Sequence, residues 1–211
     1  MRIAILGAGN MGGNLARVWS KAGHEIVFGV LDPSGPKVGA LLAELGPPAW
    51  AATDDEAAAA GEVVTIATPW PVSCPVMGAL RPHVAGKVVL DCTNPLLPDL
   101  SGLEVGHTTS AAEEIARCAP EARVVKAFNT IGYAAIGDSM FGGSPLTGFY
   151  CGDDPEAKRV AHGLIEQAGF APFDAGPLDK ARMLEQVAMF WIHLAVKQGL
   201  GRDQAFGLVR K

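Results

Sequence analysis

The sequence predicts an α/β protein of the Rossmann type, a doubly wound parallel sheet followed by a small C-terminal β-α-β and helical appendage. Three observations predict it. Short β-branched runs alternate with longer alanine-rich segments, the pattern of a parallel sheet covered by helices on both faces. The first run passes straight into Gly7-Ala8-Gly9-Asn10-Met11-Gly12, a G-x-G-x-x-G turn that opens an amphipathic helix. With 211 residues, 49% of them apolar, the chain can bury a full core without metal or disulfide staples.

Taken in order, the strands are predicted at residues 3–6, 25–29, 49–51, 63–68, 87–92 and 124–128, with helices at 10–22, 36–45, 54–60, 73–80 and 111–118 between them. Several helix starts carry their own acceptor for the free N–H groups of a first turn. Thr53 with Glu56, and Ser110 with Glu113, have capping-box spacing, and Asp154 before Pro155 pairs an N-cap with a residue suited to N1. Residues 129–148, rich in glycine and polar side chains, read as a loop with one helical turn. A second β-α-β follows at 149–152, 155–168 and 170–175, and a final helix spans 178–199. The reading therefore divides the chain into a dinucleotide-binding unit, 1–145, and a smaller unit, 146–211, packed on it. Along the final helix Met183, Leu184, Val187, Phe190, Trp191, Leu194 and Ala195 recur at three- and four-residue steps. That stripe is large for such an appendage, so a homodimer using this helix is expected, beside the alternative that the helix packs entirely within its own chain.

Composition excludes several functions. The net charge is −5 and the cations are scattered, which argues against nucleic acid and anionic membrane partners. No apolar run has the length of a membrane span, and the N-terminus lacks a signal-peptide core, so a cytoplasmic location is expected. Cys74, Cys92, Cys118 and Cys151 stand far apart and read as reduced thiols. No metal site is expected either. His83, His107, His162 and His193 lack ligand spacing, His24 reads as a turn residue before a strand, and the N-cap role accounts for Asp154 beside Asp153.

The glycine turn carries the chemistry. Gly7 allows a tight turn, Gly9 lets a pyrophosphate approach the backbone, and Gly12 lets helix and strand pack closely. The phosphates would then rest on the helix N-terminus, where free N–H groups and the dipole favour negative charge. Asp32 lies about 20 positions after the last glycine, where an acidic residue binds ribose hydroxyls. Followed by Pro33, it reads equally as a turn opener. Lys37 is either a point charge for a 2′-phosphate or a solvated helix residue.

A set of short motifs extends the reading: GAGNMG at 7–12, Thr68-Pro69-Trp70, Asn94-Pro95, VVKAFNTIG at 124–132, YCGDD at 150–154 and DAGPL at 174–178. As an ordered set they resemble the family of NADP oxidoreductases dependent on the deazaflavin coenzyme F420, including relatives in the cytosolic domains of six-transmembrane iron and copper reductases. The resemblance runs from Met1 to about Leu178. It implies hydride transfer between a nicotinamide dinucleotide and a flavin or deazaflavin whose rings meet in a cleft, with no catalytic triad or general base. By the same resemblance Gly7, Ala8, Gly9, Asn10, Met11 and Gly12 would bind pyrophosphate. Thr68, Pro69 and Trp70 would border the nicotinamide half, while Asn94, Ala127, Phe128 and Asn129 would line the ring site.

Two departures stand out. Val30-Leu31 occupies the position where the family has Ser-Arg or Val-Arg, whose arginine pairs with the 2′-phosphate of NADP, so NAD or dual use stands beside NADP. Lys126-Ala127-Phe128-Asn129 is closer to the flavin-using relatives, which leaves FMN and FAD beside F420 as acceptors. Trp70 is alternatively a shield for the sheet end, and Lys126 a partner for an acidic neighbour. The competing enzyme is a pyrroline-5-carboxylate reductase or β-hydroxyacid dehydrogenase, which also begins with such a turn but closes its site with a large helical domain that the residues after Ala175 are too few to build. A non-catalytic dinucleotide sensor is the other alternative.

Overall fold

The computed structural model describes residues 1–208. The first half alternates strand and helix: β1 (Arg2–Leu6), α1 (Asn10–Lys21), β2 (Glu25–Gly29), α2 (Pro36–Leu45), β3 (Trp50–Ala52), α3 (Asp54–Ala60), β4 (Val63–Ile66), α4 (Trp70–Ala79) and the single turn α5 (Arg81–Val84). It continues through β5 (Val88–Asp91), α6 (Ala111–Cys118), β6 (Arg123–Ala127), a 3-10 turn at Tyr133–Ala135, and a small hairpin of β7 (Met140–Phe141) and β8 (Ser144–Pro145). The last elements are β9 (Thr147–Gly152), α7 (Pro155–Gln167), β10 (Ala171–Asp174), a 3-10 turn at Leu178–Lys180 and α8 (Ala181–Ile192), which passes into a π-type turn at His193–Lys197.

Eight strands form one sheet in the order β10-β9-β6-β5-β4-β1-β2-β3. The order reverses between β1 and β4, whose parallel pairing sets Ile3 opposite Val63 and Leu6 opposite Ile66. Such a switch point opens a crevice at the carboxyl ends of the strands, where open α/β sheets bind ligands. Alternate strand residues feed two cores, as the two-residue period requires. Ile3, Ile5, Phe28, Leu90 and Val125 join Trp19 and Phe128 on one face. Ala4, Leu6, Val64, Ile66 and Val89 join Met77 and Leu184 on the other.

The caps form as their spacing requires. Thr53 and Glu56 make a reciprocal capping box, the Ser110 hydroxyl oxygen accepts from the Glu113 N–H, and an Asp154 carboxylate oxygen accepts from the Ala157 N–H.

Several expectations are corrected. α4 begins at Trp70 rather than at 73, because prolines that read as breakers sit in a first turn whose N–H groups lack helical partners anyway. β9 starts earlier than expected and pairs antiparallel with β6, so the C-terminal β-α-β continues the main sheet. Residues 129–148 hold a hairpin as well as a helical turn, with Gly142 and Gly143 at φ +57° and +84° supplying its tip. The final helix is broken into a 3-10 turn, α8 and a π-type turn, and Gly199 at φ +71° follows it. His24 stands just before β2 as expected and is buried there, its Nε2 2.7 Å from Gln167 Oε1. Cys74 and Cys118, expected as free thiols, form a disulfide that ties α4 to α6 with their Cα atoms 6.0 Å apart. Forty-four residues separate them in sequence, a pairing that spacing alone does not reveal.

Candidate functional site

The site is built outward from the glycine turn. Gly7 has φ +104° and its N–H donates to Gly29 O at 2.9 Å, which pins the turn to the end of β2. A Cβ at Gly12 would stand 2.1 Å from Gly7 O and 2.9 Å from Ile5 Cγ2, so only glycine lets α1 leave β1 this closely. Gly9 differs, since a Cβ there would meet nothing within 4 Å. It caps α1, which has no side-chain cap and no acidic residue in its first turn. The helix thus ends bare and positive against an open cradle, a fit for a pyrophosphate.

A cavity of about 680 Å³ runs from this cradle along the strand ends. Its walls include Val30, Asp32 and Lys37 at one end, and Thr68, Pro69, Trp70, Thr93 and Asn94 at the other. Asp32 opens a turn, its Oδ1 accepting from the Ser34 N–H at 3.0 Å and the Ser34 hydroxyl at 2.6 Å, and the residue also lines the cavity. Those hydrogen bonds from Ser34 hold its carboxyl below the usual range, which keeps a negative charge at this end. Leu31 points into solvent at 99% exposure and touches no cavity, whereas Lys37 lines this one and has no ion-pair partner among the described residues. Asn10 lines a shallow groove beside the cradle together with Asn14, Arg17 and Lys37.

A second cavity, about 250 Å³, adjoins the first and shares Met11, Asn94 and Leu96 with it. Its floor is apolar, formed by Ile131, Ala188, Trp191 and Ile192, with Tyr133 and Arg202 nearby. The Arg202 guanidinium lies 4.9 Å from the Tyr133 ring centroid. Asn94 and Asn129 brace the junction: Asn94 Nδ2 donates to Asn129 O at 2.9 Å, and Asn129 Nδ2 donates to Asn94 Oδ1 at 3.1 Å. Thr93 Oγ1, Asn129 Oδ1 and Thr130 Oγ1 are buried here without a hydrogen-bond partner among the described residues. A bound ligand would supply what they lack, since stranded buried polar atoms are rare.

The structure thus gathers Gly7, Ala8, Gly9, Met11, Val30, Lys37, Thr68, Pro69, Trp70, Asn94 and Asn129 around two contiguous cavities. It does not bring Ala127 and Phe128 there. Both are fully buried, and Phe128 stands edge-on between Trp19 at 5.7 Å and Phe170 at 6.4 Å. Its φ of +63° is unusual for a bulky residue and turns the chain sharply just before Asn129. Lys126 takes its second reading, paired with Asp91 and with Glu185. Thr93, Thr130, Trp191 and Arg202 were missed by the sequence reading. Trp191 had a signal, its place on the final apolar stripe, which pointed to packing as readily as to a cavity wall.

The chemistry these described side chains offer is positioning. Cys151 is buried, which pushes its thiol up to about 12, and burial raises Cys92 as well, so neither is a ready nucleophile. Among the described residues no cluster of His, Cys, Asp and Glu is arranged to hold a metal ion. No helix there is long and apolar enough to cross a membrane.

Comparison with known proteins identifies the family. Residues 2–95 match the family model described as NADP oxidoreductase, coenzyme F420-dependent. The F420-dependent NADP reductase of Methanothermobacter marburgensis is 30% identical over 210 residues, covering 93% of each chain. The metalloreductase STEAP3 of Rattus norvegicus is 29% identical over 188 residues, which span 89% of this chain and 36% of that one. A crystal structure from Arthrobacter sp. FB24, provisionally assigned as an F420-dependent NADP reductase, superposes with a TM-score of 0.88 at 31% identity over 99% of both chains.

Proposed function

Because the chain belongs to the family of coenzyme F420-dependent NADP oxidoreductases, we propose that it moves a hydride between a nicotinamide dinucleotide in the larger cavity and a deazaflavin ring in the smaller one. The observation that carries this reading is the wall the two cavities share, Met11, Asn94 and Leu96, which would let two flat rings meet without leaving the protein. The two coenzymes supply the redox chemistry when bound, and the chain's residues supply position and dryness. Gly9 and the start of α1 hold the phosphates, Trp70 and Thr93 border the nicotinamide end, and Asn129, Thr130 and Trp191 surround the acceptor. The test is NADPH oxidation followed with F420, FMN and FAD side by side. F420 is expected to be reduced fastest. An NADPH-binding protein that does not reduce F420 above the enzyme-free rate would overturn the proposal.

The dinucleotide is NADP by family, and the 2′-phosphate end of this chain is weakened for it. Leu31 stands in solvent, Asp32 brings negative charge, and Lys37 alone offsets that charge at the cavity wall. Discrimination for NADPH over NADH should therefore be small. Leu31→Arg is expected to raise it about ten- to a hundredfold, the worth of a bidentate phosphate contact of about 1.5–3 kcal/mol. Steady-state kinetics with both coenzymes decide this, and a wild type already strongly selective for NADPH and indifferent to the substitution would refute it.

A homodimer through α8 belongs to the same proposal. Leu184 and Ala188 are buried within the chain, but Met183 and Phe190 are 66% and 55% exposed, as are Val196 and Leu200 at 50% and 62%. Part of the stripe therefore remains for a second copy. Sedimentation equilibrium should give the dimer mass at micromolar concentration, and a fully active monomer would remove the dimer from the proposal.

A further inference from the structure

Lys126 is a large, fully buried side chain, and its three ammonium protons are all placed. Nζ donates to Asp91 Oδ2 at 2.8 Å and to Thr93 O at 2.6 Å, and it lies 2.8 Å from Glu185 Oε1. Each carboxylate is itself held. Asp91 Oδ1 accepts from the Thr93 N–H at 2.8 Å, and Glu185 accepts from the first N–H groups of α6, Ala111 at 3.1 Å and Ala112 at 3.4 Å. The triad carries a net negative charge, which the positive end of α6 offsets. Burial works against the Lys126 ammonium, and Asp91 and Glu185 together outweigh it, holding it above its ordinary value.

The members come from elements that wall the two cavities. Thr93, held at both its N–H and its carbonyl, lines the larger cavity and precedes Asn94 in the shared wall. Glu185 belongs to α8, which next presents Ala188, Trp191 and Ile192 to the smaller cavity. Asn129, three residues after Lys126, closes the junction with Asn94. One ammonium therefore ties the helix behind the acceptor site to the loop beside the donor site.

We propose that Lys126 is a positioning residue for hydride transfer: with Asp91 and Glu185 it fixes α8 against the Thr93-Asn94 loop and so sets the approach of the two rings. The inference rests on the hydride-transfer reading above. It does not involve the phosphate cradle, which lies on α1 and makes no bond to the triad.

Lys126→Met and Glu185→Gln test it. Glu185→Gln is the milder change, since an amide oxygen still accepts from Lys126 while its NH2 no longer accepts from α6. Three measurements apply to each folded variant: NADPH affinity by fluorescence titration, single-turnover hydride transfer to F420, and hydrogen exchange of α8 with NADPH bound. Affinity is expected within about twofold of wild type. Hydride transfer should fall about ten- to a hundredfold, as small misplacements of reacting groups do, and exchange of α8 amides should rise beyond the general increase that lower stability brings to β1 and α1. Slower transfer without faster α8 exchange, or the reverse, overturns the proposal. So does a parallel loss of NADPH affinity, which would mean general loosening. If Lys126→Met does not fold, Glu185→Gln carries the test. If the wild type transfers no hydride to F420, the functional reading fails, and exchange in α8 alone then decides whether Lys126 holds that helix in place.

Discussion

Lys126→Met is expected to remove about 3–5 kcal/mol of stability at neutral pH, because the substitution leaves two buried carboxylates without the cation between them. For a chain of this size that loss corresponds to a melting temperature lower by about 6–20 °C. The sign of the pH dependence follows from Glu185. Burial pushes its carboxyl up, against the pull of Lys126, and without Lys126 burial and the Asp91 charge are opposed only by the weaker hydrogen bond from the Ala111 N–H. An acid whose folded value lies above its unfolded one favours the fold at low pH and disfavours it as pH rises through the folded value. The deficit of the variant relative to wild type should therefore be smaller near pH 5 than near pH 8. Lys126→Met combined with Glu185→Leu, which removes one stranded charge, should recover part of the loss. Denaturant melts of the three proteins at both pH values measure all of this. A deficit below about 1 kcal/mol at pH 8 would show that water or a rearrangement satisfies the carboxylates.

The second large effect separates two glycines of one motif. Gly12→Ala should destabilise the fold by about 3 kcal/mol or more, since the new Cβ would meet Gly7 O 2.1 Å away, on a residue whose own N–H is held by Gly29 O. Gly9→Ala should change stability by no more than about 1 kcal/mol, the range for residue changes at an N-cap. Its methyl group projects into the open cradle instead, where the proposed pyrophosphate would lie. Affinity for NADPH should fall about tenfold or more, equivalent to about 1.4 kcal/mol. Thermal melts and fluorescence titrations should thus give opposite profiles for the two variants. Wild-type affinity in Gly9→Ala would dismiss the cradle as a phosphate site.

The parts of the site legible beforehand are those whose meaning is local. A glycine turn between a strand and a helix specifies its own backbone path within six residues, and Thr53 with Glu56 completes a cap within four. Gly7, Gly9, Thr68, Trp70 and Asn94 could be placed because each sits at the carboxyl end of a strand or just beyond it, and the parallel sheet gathers those ends. Ala127 and Phe128 share that position, yet the sharp turn at Phe128 sends its ring into the core and leaves Asn129 at the cavity. Nothing in the local sequence announces a positive φ at a phenylalanine.

The sequence by itself determined the Rossmann order and the glycine turn, because periodicity, capping and glycine sterics act over a few residues, while resemblance to the family marked the arginine absent at position 31. Only the tertiary structure decided the rest. The disulfide from Cys74 to Cys118, the antiparallel pairing of β9 with β6, and the smaller cavity under Trp191 each join segments remote in the chain. The Lys126 triad is the clearest case, for Ala111 and Glu185 lie 74 residues apart and meet only after α6 and α8 have packed on the sheet. Its charges are tolerable in the interior because each finds its partner there, a condition that composition and spacing cannot express and three-dimensional packing alone fulfils.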